Sequence, residues 1–343
     1  MMHGSIHLFE GLPQVDAAPG TDQRHSAGAP VRHRPLIGVI RNLRSHRNKG
    51  RALAQHESDD VIVACPKKRG ELVDIIADFA ARQVDYIVMD GGDGTVRDVL
   101  TCGAGIYGDS WPGLVVIPSG KTNALAFDLG VPSGWMLADG LAAARQGNVI
   151  RRQPLVVAKQ GDPRSQVQGF VLGGGLFTRA ISLGQKSHHL GAFNTAVVGM
   201  TALWSAGNAL LGSAGNVWRR GTKMRVSIAG QEVAHLGGLP ADERFVLFAS
   251  TLRQFPAGLD PFRGVTEPLR MGVLDNSSRG LLLRLGAIFR GTASDATKAR
   301  GMHVFGADAV DWEIGDNFIL DGEAFPAGSY RVSAGPALRF VVP

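Results

Sequence analysis

Four short apolar runs, Leu36–Ile40, Val61–Ala64, Tyr86–Met89 and Leu114–Ile117, punctuate the first part of this chain, and helical patterns lie between or after them. The clearest is Glu71–Arg82, which places Leu72, Ile75, Ile76 and Phe79 on one face. Another helix starts over Thr95–Leu100, and further helical patterns cover Asn123–Leu129 and Trp135–Gln146. Strands alternating with helices are joined by crossovers, which makes them parallel neighbours. Uninterrupted apolar runs are what strands covered on both faces require. A sheet of this kind binds its ligands at the carboxyl ends of its strands.

The pattern changes after Arg151. Leu155–Ala158, Gln168–Leu172, Met224–Ile228, Phe245–Ser250, Pro268–Val273, His303–Phe305, Ala309–Glu313, Phe318–Leu320 and Tyr330–Ser333 read as short strands between turn residues. Helical segments interrupt them near 192–211 and 278–289. At 343 residues the chain exceeds what one core usually serves. We expect a disordered tail over 1–34, an α/β domain over 35–152 and a β-rich domain over 153–343.

Charge and cysteine content narrow the partners. The net charge of +6 favours anionic ligands or surfaces, but no basic run is long enough for a nucleic-acid arm, so no nucleic-acid partner is expected. Cys65 and Cys102 show neither metal spacing nor a disulfide framework, which suits a reducing cytoplasm. No leader with a charged start and an apolar core is read at the N-terminus.

Two strand ends carry the chemistry. The run Tyr86–Asp90 passes straight into Gly91-Gly92-Asp93-Gly94-Thr95 and then a helix. Glycines let main-chain N–H groups approach an anion, and a helix N-terminus adds a favourable dipole. Asp93 would repel phosphate unless it binds a divalent metal, meets ribose hydroxyls or caps a helix. After the next strand comes Pro118-Ser119-Gly120-Lys121-Thr122-Asn123. Its Gly-Lys-Thr is not a P-loop, because Val115 stands where that pattern needs a glycine. Lys121 is still placed to meet an anion, and Asn123 to cap or brace the loop. Near the C-terminus, Asp321-Gly322-Glu323 ends a strand. On an extended chain the two carboxylates face one side, which suits a proton acceptor and a metal ligand for phosphoryl transfer to an alcohol. The same tripeptide also reads as an Asp-Gly hairpin turn.

Together with Gly173-Gly174-Gly175-Leu176-Phe177, these segments resemble the diacylglycerol kinase catalytic-domain family, the bacterial lipid kinases akin to sphingosine kinase. The resemblance implies an N-terminal α/β nucleotide-binding domain and a C-terminal β-sandwich. It implies that Gly91–Thr95 cradles the phosphates of ATP. It further implies that Asp321 is the general base and that Glu323 helps organise Mg²⁺; Asp93 stands beside Glu323 as a candidate metal ligand. Asn42 and Ser45 match the family's first loop, and Ser119, Gly120, Lys121, Thr122 and Asn123 stand at the positions of its second.

Three departures stand beside the match. The first strand ends Arg41-Asn42-Leu43-Arg44-Ser45, without the family's Asn-Pro. Lys121 and Ala124 replace the family's Thr and Asp in the second loop. Thr266–Asp275 lacks the acidic stretch of an auxiliary metal site.

The expected activity is ATP-dependent phosphorylation of a lipid hydroxyl, on diacylglycerol or a related lipid, at the cytoplasmic face of a membrane. Ala192–Leu211, followed by Trp218, Arg219, Arg220 and Lys223, is a candidate for contact with that surface, or else a packed helix. His188-His189 reads as a solvated pair. A homodimer stays open. Two alternatives are an NAD kinase-like enzyme, and a nucleotide- or lipid-binding protein with weak catalysis.

Overall fold

A computed structural model describes residues 10–15, 33–49, 59–179 and 217–343. The expectations for Ala192–Leu211, for His188-His189 and for most of the tail fall outside these described residues. The chain divides into two compact units.

The first unit comprises Pro13–Pro154, Gln166–Gly169 and Gly335–Pro343. Its sheet is built from β1 (Ile37–Arg41), β2 (Val61–Ala64), β3 (Tyr86–Gly91), β4 (Gly113–Pro118), β5 (Val149–Arg152) and β19 (Leu338–Val341), in the order β2-β1-β3-β4-β19-β5. β1 to β4 are mutually parallel, as the apolar runs predict. Ile37, Val39, Val88 and Val115 are all completely buried. The helices are α1 (Glu71–Ala81), α2 (Asp93–Tyr107), α3 (Ala124–Asp128) and α4 (Leu137–Gln146). α1 buries Leu72, Ile76 and Phe79, spaced i, i+4 and i+7, against the sheet. Phe79 lies so close to Gly38 that a Cβ there would stand 2.5 Å from its ring. β19 pairs parallel with β4 and antiparallel with β5. The sequence reading assigned everything from 153 onward to the second domain. The last nine residues instead complete the first unit's sheet, because Phe340 fills a fully buried place beside Leu114.

The second unit comprises Met1–Leu12, Leu155–Ser165 and Phe170–Ala334. One antiparallel sheet runs β10 (Gln231–Glu232), β9 (Thr222–Ile228), β15 (Ala309–Ile314), β18 (Gly328–Ala334), β6 (Leu155–Lys159) and β7 (Asp162–Gly169), with β11 (Glu243–Arg244) also on β9. The other runs β14 (Met302–Ala307), β13 (Leu269–Leu274), β12 (Val246–Ser250), β8 (Val171–Gly175), β16 (Phe318–Leu320) and β17 (Glu323–Phe325). Aromatic side chains join the two into a sandwich-like core. Trp312 of β15 is fully buried, 5.3 Å ring to ring from Phe318 of β16, and Phe318 lies 5.0 Å from Tyr330 of β18. Gly174 leaves the room that Trp312 and Ile314 occupy: a Cβ there would meet them at 3.0 and 2.9 Å. The strand expected over Gln168–Leu172 breaks at Phe170, and the helix expected over 278–289 divides into α5 (Arg279–Leu282) and α6 (Leu285–Phe289). A further short helix, α7 (Asp295–Lys298), precedes β14. No described helix is long and apolar enough to cross a membrane.

Candidate functional site

The two glycine-rich loops leave the carboxyl ends of the adjacent parallel strands β3 and β4. Gly92 is the N-cap of α2, in extended conformation. Its carbonyl accepts from Thr95 N (2.8 Å) and Val96 N (3.2 Å), but among the described residues no acceptor meets the N–H of Gly92 itself or of Gly94. Donors of this kind at a helix N-terminus are suited to an anion. None of Gly91, Gly92, Gly94 and Gly120 has a positive φ. Gly91, Gly92 and Gly120 are needed for space. A Cβ on Gly91 would overlap Thr95, and one on Gly92 would stand 2.9 Å from the Cα of Gly120 in the other loop.

Asp93 and Asn123 hold the loops in register. Asp93 Oδ1 accepts from Leu125 N at 3.3 Å. Burial pushes the Asp93 pKa up, against the opposing pull of the Ala124, Leu125 and Asn123 N–H groups. Of the three roles read from sequence, helix capping is the one with a visible contact, to Leu125 N in the first turn of α3. Asn123 takes a left-handed conformation, φ 52°. Its Oδ1 accepts from Gly120 N at 2.9 Å and its Nδ2 donates to Gly120 O at 3.0 Å, so it braces the second loop. Lys121 and Thr122 stand exposed at that loop's tip, and Ser119 is buried at its base.

Sequence reasoning missed the hub of this region, Asp90. Its Oδ1 accepts from Ser119 Oγ at 2.5 Å and Asn48 Nδ2 at 2.9 Å, and its Oδ2 pairs with Arg41 Nε at 3.3 Å. Its carbonyl accepts from Asn42 N at 2.9 Å. Asp90 is nearly inaccessible. The available signal was an acid closing an otherwise apolar strand. Asn42 bridges onward, donating from Nδ2 to Thr95 Oγ1 at 2.9 Å, and Ser45 N returns to Asn42 O at 3.1 Å. Asn42, Ser45, Thr95 and Ser119 thus fall in one polar network with Asp90 at its centre.

In the second unit, Leu320 pairs with Glu323, leaving Asp321-Gly322 as a two-residue hairpin turn. Both turn residues have positive φ, 46° and 83°, as a type I′ turn demands. The extended-chain placement of Asp321 and Glu323 on one side is therefore corrected: a turn intervenes. The Asp321 carboxylate accepts from Phe170 N at 3.0 Å and Val171 N at 2.9 Å, which fixes its orientation where β7 gives way to β8. The Gly173–Phe177 segment forms β8 and the helical turn after it. Gly173 makes room for Phe177, and Gly175 takes a positive φ of 70°. Among the described residues no group of three or more His, Cys, Asp or Glu is arranged to hold a metal ion.

Comparison with known proteins agrees with this layout. Residues 39–153 match the family model of the diacylglycerol kinase catalytic domain. The match takes in every loop residue from Asn42 to Asn123 described above. The same region resembles the probable lipid kinase YegS of Escherichia coli O127:H6 (strain E2348/69 / EPEC), 30% identical over 108 residues, and that of Shigella flexneri, 29% identical over 108 residues. Each alignment covers 32% of this chain and 36% of the relative, so the chain spans about a third of the length of these relatives. Two crystal structures of Bacillus anthracis str. Sterne proteins share the fold. One aligns at 16% identity and a TM-score of 0.64, covering 91% of this chain and 99% of that one. The other, of a diacylglycerol kinase, aligns at 14% identity and 0.58, covering 91% and 98%. At such identities the likeness is one of fold: an α/β unit with a mostly parallel sheet, and a second unit of antiparallel sheets. Over residues 39–153 the chain is thus similar to the diacylglycerol kinase catalytic domain, and over 108 residues to the probable lipid kinase YegS.

Proposed function

We propose that this protein is an ATP-dependent lipid kinase that moves the γ-phosphate of ATP to a lipid hydroxyl, with diacylglycerol or a related lipid as acceptor. The observation that carries the reading is the pair of N–H groups, on Gly92 and Gly94, left open at the N-terminus of α2 at the carboxyl edge of a parallel sheet. Phosphoryl transfer rests mainly on positioning and charge stabilisation. Gly91–Thr95 supplies positioning donors, and Lys121 at the neighbouring loop tip supplies a positive charge. Asn42, Ser45, Ser119 and Asn123 keep the two loops shaped for the nucleotide, and Thr122, exposed beside Lys121, is proposed to face it.

Asp321 is the proposed acceptor of the hydroxyl proton. Two main-chain donors orient its carboxylate in advance, which is what a general base needs. Asp93 and Glu323 are the proposed metal ligands, and both offer the oxygen donors that Mg²⁺ takes. With no larger acidic cluster among the described residues, such an ion would be held largely by substrate phosphates, whose charge it neutralises. A lipid acceptor places turnover at a membrane surface.

The test incubates the protein with Mg²⁺, γ-labelled ATP and mixed micelles of diacylglycerol, sphingoid or isoprenoid alcohols, followed by organic extraction. Asp321→Asn and an NAD-containing aqueous reaction run alongside. Label in a lipid, lost in the variant, is expected. Label in NAD instead would replace the reading with the NAD kinase one. ATP binding without label in any acceptor would leave a binding protein.

A further inference from the structure

The second unit contains a cleft of about 480 Å³ along β14, lined by none of the loop residues discussed above. Its volume lies within the ordinary range of ligand pockets. β14 is the terminal strand of its sheet, paired only with β13 among the described residues, and Met302 to Phe305 form one wall. Val265, Ala293 and Val304 add an apolar surface that runs into the core around Phe248, Phe262 and Ile288. The polar lining is basic: Arg263, Lys298 and His303, with no Asp or Glu among the described lining residues.

The three basic groups differ in how they are held. His303 is anchored: its Nε2 hydrogen bonds to Asp275 Oδ2 at 2.7 Å, and fully buried Asp275 is in turn paired with Arg244. The imidazole is therefore fixed against the wall of the cleft. Arg263 pairs with Asp260 at 3.2 Å and Lys298 with Asp295 at 3.3 Å. Both pairs are solvent-exposed, and Asp295 is 99% exposed. Exposed pairs of this kind hold their partners weakly, so each cation can turn to a better anion. Neither Asp260 nor Asp295 lines the cleft.

We propose that this cleft is a second ligand site, for an anionic amphiphile whose head group meets Arg263 and Lys298 and whose alkyl chain lies along Val265, Val304 and Phe305. The shared chemistry is a phosphate or carboxylate head on a hydrocarbon chain. A mixed basic and apolar lining recognises both halves, whereas a basic surface alone would recognise only the charge. The site is independent of the phosphate-transfer reading, because it uses none of the residues named there.

Calorimetric titration of the full chain with decyl phosphate, decanoate and inorganic phosphate, each below any micelle threshold, tests it. Decyl phosphate or decanoate binds at one site, and inorganic phosphate binds at least about tenfold more weakly. The Arg263→Gln/Lys298→Gln variant, changed only at exposed positions, melts like the wild type and loses about tenfold or more in amphiphile affinity. Which of the two amphiphiles binds more tightly names the head group. No amphiphile binding, binding unchanged in the double variant, or inorganic phosphate binding as tightly as decyl phosphate would each overturn the proposal. Val304→Asp, which alters the apolar wall and spares the cations, is expected to abolish amphiphile binding in a protein whose melting confirms that it folds; full affinity in that variant also overturns it.

Discussion

Gly92 and Gly120, one from each phosphate-loop candidate, meet backbone to backbone: a Cβ built on Gly92 would stand 2.9 Å from the Cα of Gly120, and one built on Gly120 would come closer still to Gly92. The neighbour is main chain, so it cannot swing aside. Alanine at either position should cost about 1–3 kcal/mol by overpacking. Gly94 differs, because the nearest atom to its Cβ would be the Arg97 guanidinium at 3.5 Å, an ordinary contact. Gly94→Ala should keep stability within about 0.5 kcal/mol while weakening ATP binding, if the phosphates press on that backbone. Urea unfolding and nucleotide titration of the three variants separate packing from ligand approach. A Gly94→Ala protein that binds ATP normally would remove that residue from the cradle.

Asp321 permits a clean exchange. Asparagine tolerates the left-handed conformation that this residue adopts, and its amide oxygen can still accept a main-chain N–H. Asp321→Asn should therefore preserve the hairpin and lower turnover by about 10²–10⁴-fold, the range for loss of a general base. Turnover within a few-fold of the wild type, in a protein with unchanged melting, would show that the hydroxyl proton goes elsewhere.

Asp93 carries a signed pH expectation. Burial raises its folded-state pKa above the ordinary carboxyl value, so its contribution to stability is best below that value and is lost as pH rises through the raised one. Removing the charge relieves that cost. Asp93→Asn should melt no lower than the wild type near pH 7, and its advantage should shrink as pH falls. Full kinase turnover in this variant would reduce Asp93 to a brace between two loops, and lost turnover would support its role at the nucleotide.

Asp275 has the opposite sign. Burial alone would raise its pKa, but the His303 hydrogen bond, the Leu236 N–H and the Arg244 charge outweigh burial and hold it below the usual carboxylate range. Its stabilisation is present above the unfolded carboxyl pKa and is lost as pH falls through the lower folded value. Asp275→Asn leaves Arg244, 1% exposed, as a buried charge without its carboxylate. The expected loss near pH 7 is about 3–5 kcal/mol, narrowing toward acid, as denaturant melts at several pH values would show. A constant gap across pH would mean that packing, not charge, sets the cost.

What the residues revealed in advance depended on how local the cause was. Strands β1 to β4 could be read because a strand covered on both faces must be apolar throughout, and that mark is in the strand itself. The glycines of Gly91–Gly94 were read as room for an anion at the main chain, and nothing in the sequence told that Gly92 also makes room for Gly120. Asp90 escaped notice because its role is assembled from Arg41, Asn48 and Ser119, three residues far from it in the chain. Asp321-Gly322 carried two readings, turn and functional carboxylate. The hairpin is plainly present, and it does not exclude the other, since the turn is what aims the carboxylate at Phe170 N and Val171 N. Leu338–Val341 gave least warning: nothing in four residues tells a strand to lie beside Leu114 rather than beside its own sequence neighbours.

That last strand sets an order of events during synthesis. β4 and β5 leave the ribosome early with a vacant lane between them, and the second unit is translated before Leu338–Val341 can fill it. Until then the nascent chain shows an open sheet edge on β4, the very strand that carries the second glycine loop. The sheet beneath the glycine loops is thus complete only once Leu338–Val341 has been made, so a chain stopped before that strand would lack β4's neighbour.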